Sequence, residues 1–227
     1  MLEIRDSVAV ITGGCSGIGK TLAMYWIRHR GKVILADVDS QGLLKMENDI
    51  SKLGGEVFTA TCDVTKEEDN SRLAQLAIDR FGEINLIATC AGITKDGMML
   101  DTDINTGKII KKMSLDQFKS VLDVNLMGTF LTVRECAERM INLGCKGLIC
   151  LISSIGSMGT AGQINYSSTK AAVAVMPKVI TAEFFRRKIA HKIRCVAIAP
   201  GYVATPMTET MNPKALGKVL EQVPIGV

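Results

Sequence analysis

The stretch Thr12-Gly13-Gly14-Cys15-Ser16-Gly17-Ile18-Gly19 decides the fold of this chain. It follows a β-branched apolar run at 7–12 and opens an amphipathic segment at 17–29, so it lies at a strand-to-helix turn. Glycines at such a turn let the main chain approach a pyrophosphate, and the start of the helix supplies N–H donors and a partial positive charge. The loop therefore predicts a phosphate-binding site.

The same loop fits two nucleotide-binding patterns. Its glycines at 13, 17 and 19 depart from the usual Gly-x-Gly-x-x-Gly spacing of dinucleotide-binding loops. Residues 14–21 match Gly-x-x-x-x-Gly-Lys-Thr, the pattern of nucleoside triphosphatases, and Asp37 could hold the metal ion that such enzymes need. Taken alone, the loop leaves both interpretations open, with a purely structural turn as a third.

Short apolar runs alternate with longer amphipathic segments along the chain. The predicted strands are 7–12, 32–37, 56–61, 85–89, 147–152 and 193–199, and the predicted helices are 17–29, 40–52, 67–81, 114–143 and 165–187. Most of the strands are continuously apolar, which is typical of a parallel sheet covered on both faces. We therefore predict an α/β fold, a three-layer doubly wound parallel sheet (Rossmann), forming one domain over residues 1–227.

Two segments interrupt this alternation. Residues 101–112 contain Asn105-Thr106-Gly107 between polar flanks, which predicts a hairpin inserted before the fourth helix. Pro177 falls inside the fifth helical segment, where we expect it to remove a main-chain hydrogen bond and kink the helix.

Composition excludes several function classes. The 227 residues carry a net charge of +4 from scattered Lys and Arg, and aromatic residues are only 4%, so a nucleic-acid partner has little support. Two histidines are too few for a Ser-His-Asp triad or a His-rich zinc site, and we predict no metal. Seven cysteines without a Cys-x-x-Cys, and no long uncharged apolar stretch, predict a reducing cytoplasmic location with no membrane partner.

Asp37 ends the second predicted strand, eighteen residues after Gly19. At this spacing an acidic side chain accepts hydrogen bonds from the adenosine ribose of NAD and repels the 2′-phosphate of NADP. Neither Ser16 nor Val38 is basic, so no cation offsets that repulsion. Asp37 predicts NAD as the cofactor, with NADP less favoured; the alternative is a strand-end carboxylate that caps the next turn.

Tyr166 and Lys170 are four residues apart at the start of the fifth helix, so their side chains share one face. A neighbouring ammonium is expected to lower the pKa of the phenol toward neutrality, which gives a proton donor and acceptor without histidine. Ser153 ends the fifth strand, thirteen residues before Tyr166, and is expected in the same crevice. Tyr-x-x-x-Lys alone also fits a helix-surface pair, but with the glycine loop and Ser153 it predicts an active site.

On these motifs the chain resembles the short-chain dehydrogenase/reductases from Thr12 to Gly201. The resemblance implies that Ser153, Tyr166 and Lys170 are catalytic and that Asn125 holds a water of the proton relay. It implies that Ser153 binds the substrate oxygen and that Lys170 bridges the nicotinamide ribose. It also implies a cofactor site, which with Tyr166 and Lys170 comprises Gly13, Cys15, Ser16, Gly17, Ile18, Gly19, Asp37, Asp63, Val64, Cys90, Ala91, Gly92, Pro200, Gly201, Val203 and Thr205.

Within that family, residues 91–96 and 162–166 are most similar to 3-oxoacyl-thioester reductases. The similarity implies a 3-hydroxyacyl or 3-oxoacyl thioester of coenzyme A or acyl carrier protein as substrate, and a homotetramer or homodimer. A small secondary alcohol, a steroid or a polyol is the alternative substrate, and a non-catalytic NAD-binding sensor or assembly subunit is the alternative of another class. The nucleoside-triphosphatase interpretation predicts none of these downstream motifs.

The sequence departs from the family pattern in places. Cys90 stands where the family usually has an asparagine, and we expect it to be a small buried thiol. The sequence ends at Val227, before the seventh strand of its relatives, so the sheet is expected to lack its usual final strand. An apolar substrate pocket beside Ser153 is expected from Ile155, Met158, Tyr202 and Met207, although these residues also fit core packing.

Overall fold

The computed structural model describes residues 3–205 and Gly217, and its alternating elements confirm the predicted α/β fold. The strands are β1 (Val8–Thr12), β2 (Lys32–Asp37), β3 (Val57–Thr61), β4 (Leu86–Thr89), β5 (Leu100–Thr102), β6 (Ile109–Lys112), β7 (Gly147–Ile152) and β8 (Ile193–Ile198). The helices are α1 (Gly17–Arg28), α2 (Ser40–Ser51), α3 (Glu67–Phe81), α4 (Leu115–Leu122), α5 (Thr129–Asn142) and α6 (Ile164–Arg186).

Six of these strands form one parallel sheet in the order β3-β2-β1-β4-β7-β8. The expected lack of a final strand concerns the end of the chain, which lies outside residues 3–205. Because all six strands run in one direction, their carboxyl ends meet at one edge. The strand order reverses between β1 and β4, and ligands of doubly wound sheets bind outside the carboxyl ends at such a point.

Apolar layers cover both faces of the sheet. One layer packs α1 and α2 on the sheet through residues such as Trp26 and Met46, and the other packs α3, α5 and α6 through residues such as Leu73 and Met140. All five residues of β1 are buried, because β1 lies between the two layers and between two other strands. This burial explains why the strands are continuously apolar in sequence.

The predicted helix 114–143 is not one regular helix. A π-helical segment at Asp123–Gly128 separates α4 from α5, and it contains the fully buried Asn125. A Cβ on Gly128 would lie 2.6 Å from a Val64 methyl carbon, so the segment packs closely on the loop after β3. Pro177 lies inside α6, which nevertheless continues to Arg186.

The predicted insertion is confirmed as a hairpin, in which β5 and β6 pair antiparallel and form a separate two-stranded sheet. Leu100 lies opposite Lys112, and Asp101 lies opposite Lys111. None of the helices in the described part of the chain has the length and apolar character that a bilayer crossing requires.

Candidate active site

A cleft of about 610 Å³ opens at the carboxyl ends of the parallel strands. It is lined by eighteen of the residues expected from sequence: Gly13, Ser16, Gly17, Ile18, Gly19, Asp37, Asp63, Val64, Cys90, Ala91, Gly92, Ser153, Tyr166, Lys170, Pro200, Gly201, Val203 and Thr205. Two expected residues, Cys15 and Asn125, do not line it. The fold therefore gathers the loops after β1, β2, β3, β4, β7 and β8 around one space.

The glycine loop has no room for side chains at two of its positions. A Cβ on Gly19 would lie 2.2 Å from the carbonyl oxygen of Gly13, and a Cβ on Gly13 would lie 2.7 Å from the amide nitrogen of Ala91. Gly13 also has a φ of +65°, a left-handed conformation that favours glycine. Glycine at both positions thus brings the main chain of the loop to the surface of the cleft.

The start of α1 fits the pyrophosphate of a dinucleotide. Ser16 precedes the helix without a side-chain capping hydrogen bond, and the first turn has no acidic residue, so nothing there opposes an anion. Lys20 and Thr21 do not line the cleft, and the Thr21 hydroxyl donates to the carbonyl oxygen of Gly17 at 2.9 Å. The nucleoside-triphosphatase interpretation needs both side chains on the phosphates and therefore loses its support.

Main-chain N–H groups hold the Asp37 carboxylate at the end of β2. Its Oδ2 accepts from the amide of Cys15 at 3.1 Å, and its Oδ1 accepts from the amide of Asp39 at 3.1 Å. Cys15 reaches Asp37 through its main chain, while its thiol donates to the carbonyl oxygen of Asp39 at 3.5 Å and so lies away from the cleft. The Asp37 carboxylate is thereby fixed beside the glycine loop, where an adenosine ribose would lie.

Asp63 lies at the next loop of the cleft, after β3. Its Oδ1 accepts from the Thr65 hydroxyl at 2.7 Å and from the Thr65 amide at 3.1 Å. These hydrogen bonds hold the pKa of the Asp63 carboxyl below its usual value. The carboxylate is therefore charged and oriented in the part of the cleft that the loop after β3 forms.

Asn125 lies behind the cleft rather than on it. Its side-chain amide exchanges two hydrogen bonds with the main chain of Ile93, at 2.8 and 2.9 Å. A Cβ on Gly92 would lie 3.3 Å from Asn125 Oδ1 and 3.7 Å from Lys170 Nζ. Asn125 thus fixes the loop after β4 next to the Lys170 ammonium.

Cys90 packs below the glycine loop. Its Cβ would lie 3.2 Å from a Cβ placed on Gly19. Burial raises the pKa of the Cys90 thiol to about 12. The side chain is therefore a protonated, close-packed thiol at neutral pH, which agrees with the modest role expected for it.

Lys170 is buried at the floor of the cleft, with 5% of its surface exposed. Its Nζ donates to the carbonyl oxygen of Ile152 at 2.8 Å and lies 5.6 Å from the centre of the Tyr166 ring. Burial lowers the pKa of the Lys170 ammonium to about 8. The charge is thus held over the ring of Tyr166 by a main-chain carbonyl.

The expected low pKa of Tyr166 is not what the structure gives. Burial raises the pKa of this phenol above its ordinary value, and the negative charge of Asp96 raises it further, while a hydrogen bond from Ser154 lowers it. The expectation failed because the Lys170 ammonium is directed at Ile152 and the face of the ring rather than at the phenol oxygen. Tyr166 therefore keeps its proton at neutral pH.

The Ser154 hydroxyl lies beside the Tyr166 phenol, and Ser153, the serine expected from sequence, lines the same cleft. Ser153 is 2% exposed, and its hydroxyl donates to the main-chain carbonyl of Lys170 at 2.7 Å. Ser154 caps the short 3₁₀ turn Ile155–Met158 by accepting from the amide of Gly156 at 3.0 Å. A Cβ on Gly156 would lie 3.3 Å from both Ser154 Oγ and Tyr166 Cε1, so this glycine lets the two side chains meet.

Sequence reasoning also missed a polar pair in the cleft. Gln163 Nε2 donates to Asp96 Oδ2 at 2.8 Å, and both residues line the cleft. The signal was their position, because Asp96 follows a sheet strand and Gln163 precedes α6 at the edge where ligands bind. Of the expected apolar pocket, Ile155 and Tyr202 line the cleft, Met158 is 90% exposed and does not, and Met207 lies outside the described residues.

The buried ammonium of Lys170 predicts a specific pH dependence of stability. Its pKa of about 8 lies below the ordinary 10.5, so between these values the unfolded chain binds more protons and the free energy of unfolding rises with pH. The free-energy cost of burying the charged Lys170 ammonium is fully present below pH 8. We expect the stability advantage of Lys170→Met over the wild type to shrink by about 2–3 kcal/mol from about pH 7 to about pH 10. Denaturant unfolding of both proteins measures it, and parallel curves would contradict it.

Comparison with known proteins agrees with this geometry. The family model described as short chain dehydrogenase matches residues 7–216. A (3R)-3-hydroxyacyl-CoA dehydrogenase of Canis lupus familiaris is 32% identical over 99% of this chain and 85% of the relative. A 3-oxoacyl-[acyl-carrier-protein] reductase of Thermotoga maritima is 28% identical over 99% of this chain and 85% of the relative.

The solved structures include a short-chain dehydrogenase/reductase of Burkholderia phymatum in complex with NAD. It superposes with a TM-score of 0.84 over 100% of this chain and 83% of that one, at 23% identity, which shows the shared fold. The match to the family model over most of the chain shows more than the fold. This protein belongs to the short-chain dehydrogenase/reductase family and is an NAD(P)-dependent oxidoreductase that acts on alcohol or ketone groups.

Proposed function

We propose that this protein reduces the ketone of a 3-oxoacyl thioester, and reversibly oxidises the corresponding 3-hydroxyacyl thioester, with NAD as its cofactor. One observation carries the proposal: the protonated Tyr166 phenol lies next to the Ser154 hydroxyl, with the Lys170 ammonium 5.6 Å from its ring, in the wall of a nucleotide-sized cleft. The names of the relatives from Canis lupus familiaris and Thermotoga maritima support the thioester class.

Three residues of the cleft have separate roles in the proposed reaction. A bound nicotinamide supplies or accepts the hydride. The Ser154 hydroxyl binds the substrate oxygen, and Tyr166 gives its phenolic proton to that oxygen during reduction. Lys170 holds a positive charge beside Tyr166 and is in place to bind the nicotinamide ribose. Because the Tyr166 pKa is raised, the phenol carries at neutral pH the proton that ketone reduction requires.

The substrate class is supported by the lining of the cleft beyond Tyr166. Ile155 and Tyr202 offer apolar surface for an acyl chain. The amide of Gln163, oriented by Asp96, can hydrogen-bond a second carbonyl group. A 3-oxoacyl thioester carries both features, whereas a simple ketone lacks the second carbonyl.

The direct test is oxidation of NADH in the presence of acetoacetyl-CoA, followed in absorbance. We expect turnover of this thioester to exceed that of simple ketones, steroids and polyols in the same panel. Turnover of only a small ketone or a steroid would replace the thioester class. Binding of NADH without turnover of any compound would favour a sensor or an assembly subunit.

The choice of NAD over NADP is tested at Asp37. We expect the wild type to have a lower KM for NADH than for NADPH, because the carboxylate repels a 2′-phosphate. Asp37→Asn keeps the size of the side chain and removes the charge. It should therefore reduce the ratio of the KM for NADPH to the KM for NADH by about tenfold. Steady-state titration with both cofactors measures it, with Asp39→Asn as a neighbouring control. An unchanged preference would contradict the role of Asp37.

We also propose a homodimer or homotetramer in a reducing cytoplasm. Exposed apolar side chains on α5 and α6, including Phe130, Val175 and Val179, offer surface for assembly. All seven cysteines are free thiols, which suits a reducing compartment. Light scattering of the purified protein measures its assembly directly.

A further inference from the structure

The β5–β6 hairpin, which we call the ribbon (residues 100–112), follows the cleft residue Asp96 closely along the chain. Its base is tied to the start of α6: the Gly97 amide donates to the Gly162 carbonyl at 2.7 Å, and Asn165 Nδ2 donates to the Lys95 carbonyl at 2.8 Å. The Asp96–Gln163 hydrogen bond joins the same two segments inside the cleft. The segment that leads into the ribbon is therefore part of the wall that carries Tyr166.

The ribbon exposes apolar surface next to positive charge. Leu100 and Lys112 are direct partners and share one face of the hairpin, the register shifts between Asp101 and Thr102, and Leu100 and Ile110 are 44% and 65% exposed. At the tip, Ile104 is 95% exposed. A two-stranded ribbon is marginal by itself in water, and exposed apolar surface of this kind marks a binding site.

The charges of the ribbon favour an anionic ligand. Lys108, Lys111 and Lys112 are exposed, and none of them forms an ion pair with another residue between 3 and 205. The two acidic residues are engaged with main-chain amides: Asp101 Oδ1 accepts from Thr102 at 3.0 Å, and Asp103 Oδ1 accepts from Thr106 at 2.7 Å. The three lysines therefore outnumber the two carboxylates of the ribbon, and both carboxylates are oriented by main-chain amides.

We propose that the ribbon binds the nucleotide end of a coenzyme A thioester. Lys108 and Lys112 pair with its phosphates, and Leu100 and Ile110 contact the pantetheine arm. Leu100 is four positions after Asp96, so Lys112, opposite Leu100, lies within about 20 Å of the cleft. The inference rests on the proposed thioester function and adds the carrier that the protein recognises.

The test compares two thioesters that share the reacting group: acetoacetyl-CoA and acetoacetyl-N-acetylcysteamine, which lacks the nucleotide. In the double variant Lys108→Glu/Lys112→Glu, we expect KM for acetoacetyl-CoA to rise about tenfold while kinetics with the short thioester stay unchanged. Lys45→Glu/Lys52→Glu, on the exposed surface of α2 and its end, makes the same charge change away from the cleft and should alter neither.

Equal losses with both thioesters, or no loss with either, would overturn the inference, as would a loss confined to acetoacetyl-acyl carrier protein. Calorimetric titration with coenzyme A itself separates this outcome from failure of the proposed function. If the wild type turns over no thioester, the proposed reaction fails. Weaker binding of coenzyme A to the ribbon variant than to the wild type and the control still supports the ribbon site, and equal binding by all three rejects it.

Discussion

Replacing Tyr166 with Phe is expected to lower kcat about 1000-fold while leaving the affinity for NADH nearly unchanged. The substitution removes only the phenolic hydroxyl. The ring remains packed against Gly156 and below the Lys170 ammonium, so the cleft keeps its shape. The decrease in kcat therefore measures how much the reaction depends on the proton that the phenol gives to the substrate oxygen.

Two measurements distinguish an effect of Tyr166→Phe on catalysis from an effect on cofactor binding. Steady-state oxidation of NADH with acetoacetyl-CoA yields kcat, and quenching of protein fluorescence by NADH yields the dissociation constant. Tyr25→Phe is the matched control, because Tyr25 is 51% exposed on α1 and does not line the cleft. Retained kcat in Tyr166→Phe would remove the proposed proton donor, and a parallel loss of NADH affinity would make Tyr166 a cofactor-binding residue instead.

The sheet and the glycine loop could be predicted because their causes are local. Continuous β-branched runs favour buried parallel strands wherever they occur, and the predicted strand 147–152 has the same bounds as β7. Gly13 and Gly19 are required by main-chain contacts within the strand-turn-helix unit and with the neighbouring strand's loop. Patterns of one or two elements were therefore sufficient to place the nucleotide cleft.

The π-helical segment at Asp123–Gly128 could not be predicted from periodicity. A π turn differs from an α turn by a single residue, and the apolar positions on either side remain close to helical spacing. The segment places Asn125 against the main chain of Ile93, a partner thirty-two residues away. Tertiary contact, and no local preference, thus determines where the Asn125 amide lies.

For a related reason, the direction of the Tyr166 pKa shift could not be predicted from residue spacing in the sequence. Four residues along a helix bring the Tyr166 and Lys170 side chains together, but they do not fix the direction of the ammonium. The carbonyl oxygen of Ile152 fixes it, and burial then moves both pKa values. The pairing was predictable, whereas the sign of the shift at Tyr166 required the fold.

Ser154→Ala is expected to lower kcat about 100-fold, whereas Ser153→Ala should change kcat only a few-fold. The two serines are adjacent, so the distance in sequence to Tyr166 cannot choose between them. In the structure the Ser154 hydroxyl lies next to the phenol, and the Ser153 hydroxyl is engaged by the Lys170 carbonyl. We therefore propose that Ser154 binds the oxygen that receives the Tyr166 proton.

Each variant also has a structural effect that a stability measurement separates from catalysis. Ser154→Ala loses the cap on the Gly156 amide, and Ser153→Ala loses its bond to Lys170, so each should lower the free energy of unfolding by about 1 kcal/mol. Similar stability with very different kcat values assigns Ser154 to the substrate oxygen. If Ser153→Ala instead has the lower kcat at equal stability, the hydroxyl of Ser153 must turn into the cleft when substrate binds, and the original assignment from sequence is restored.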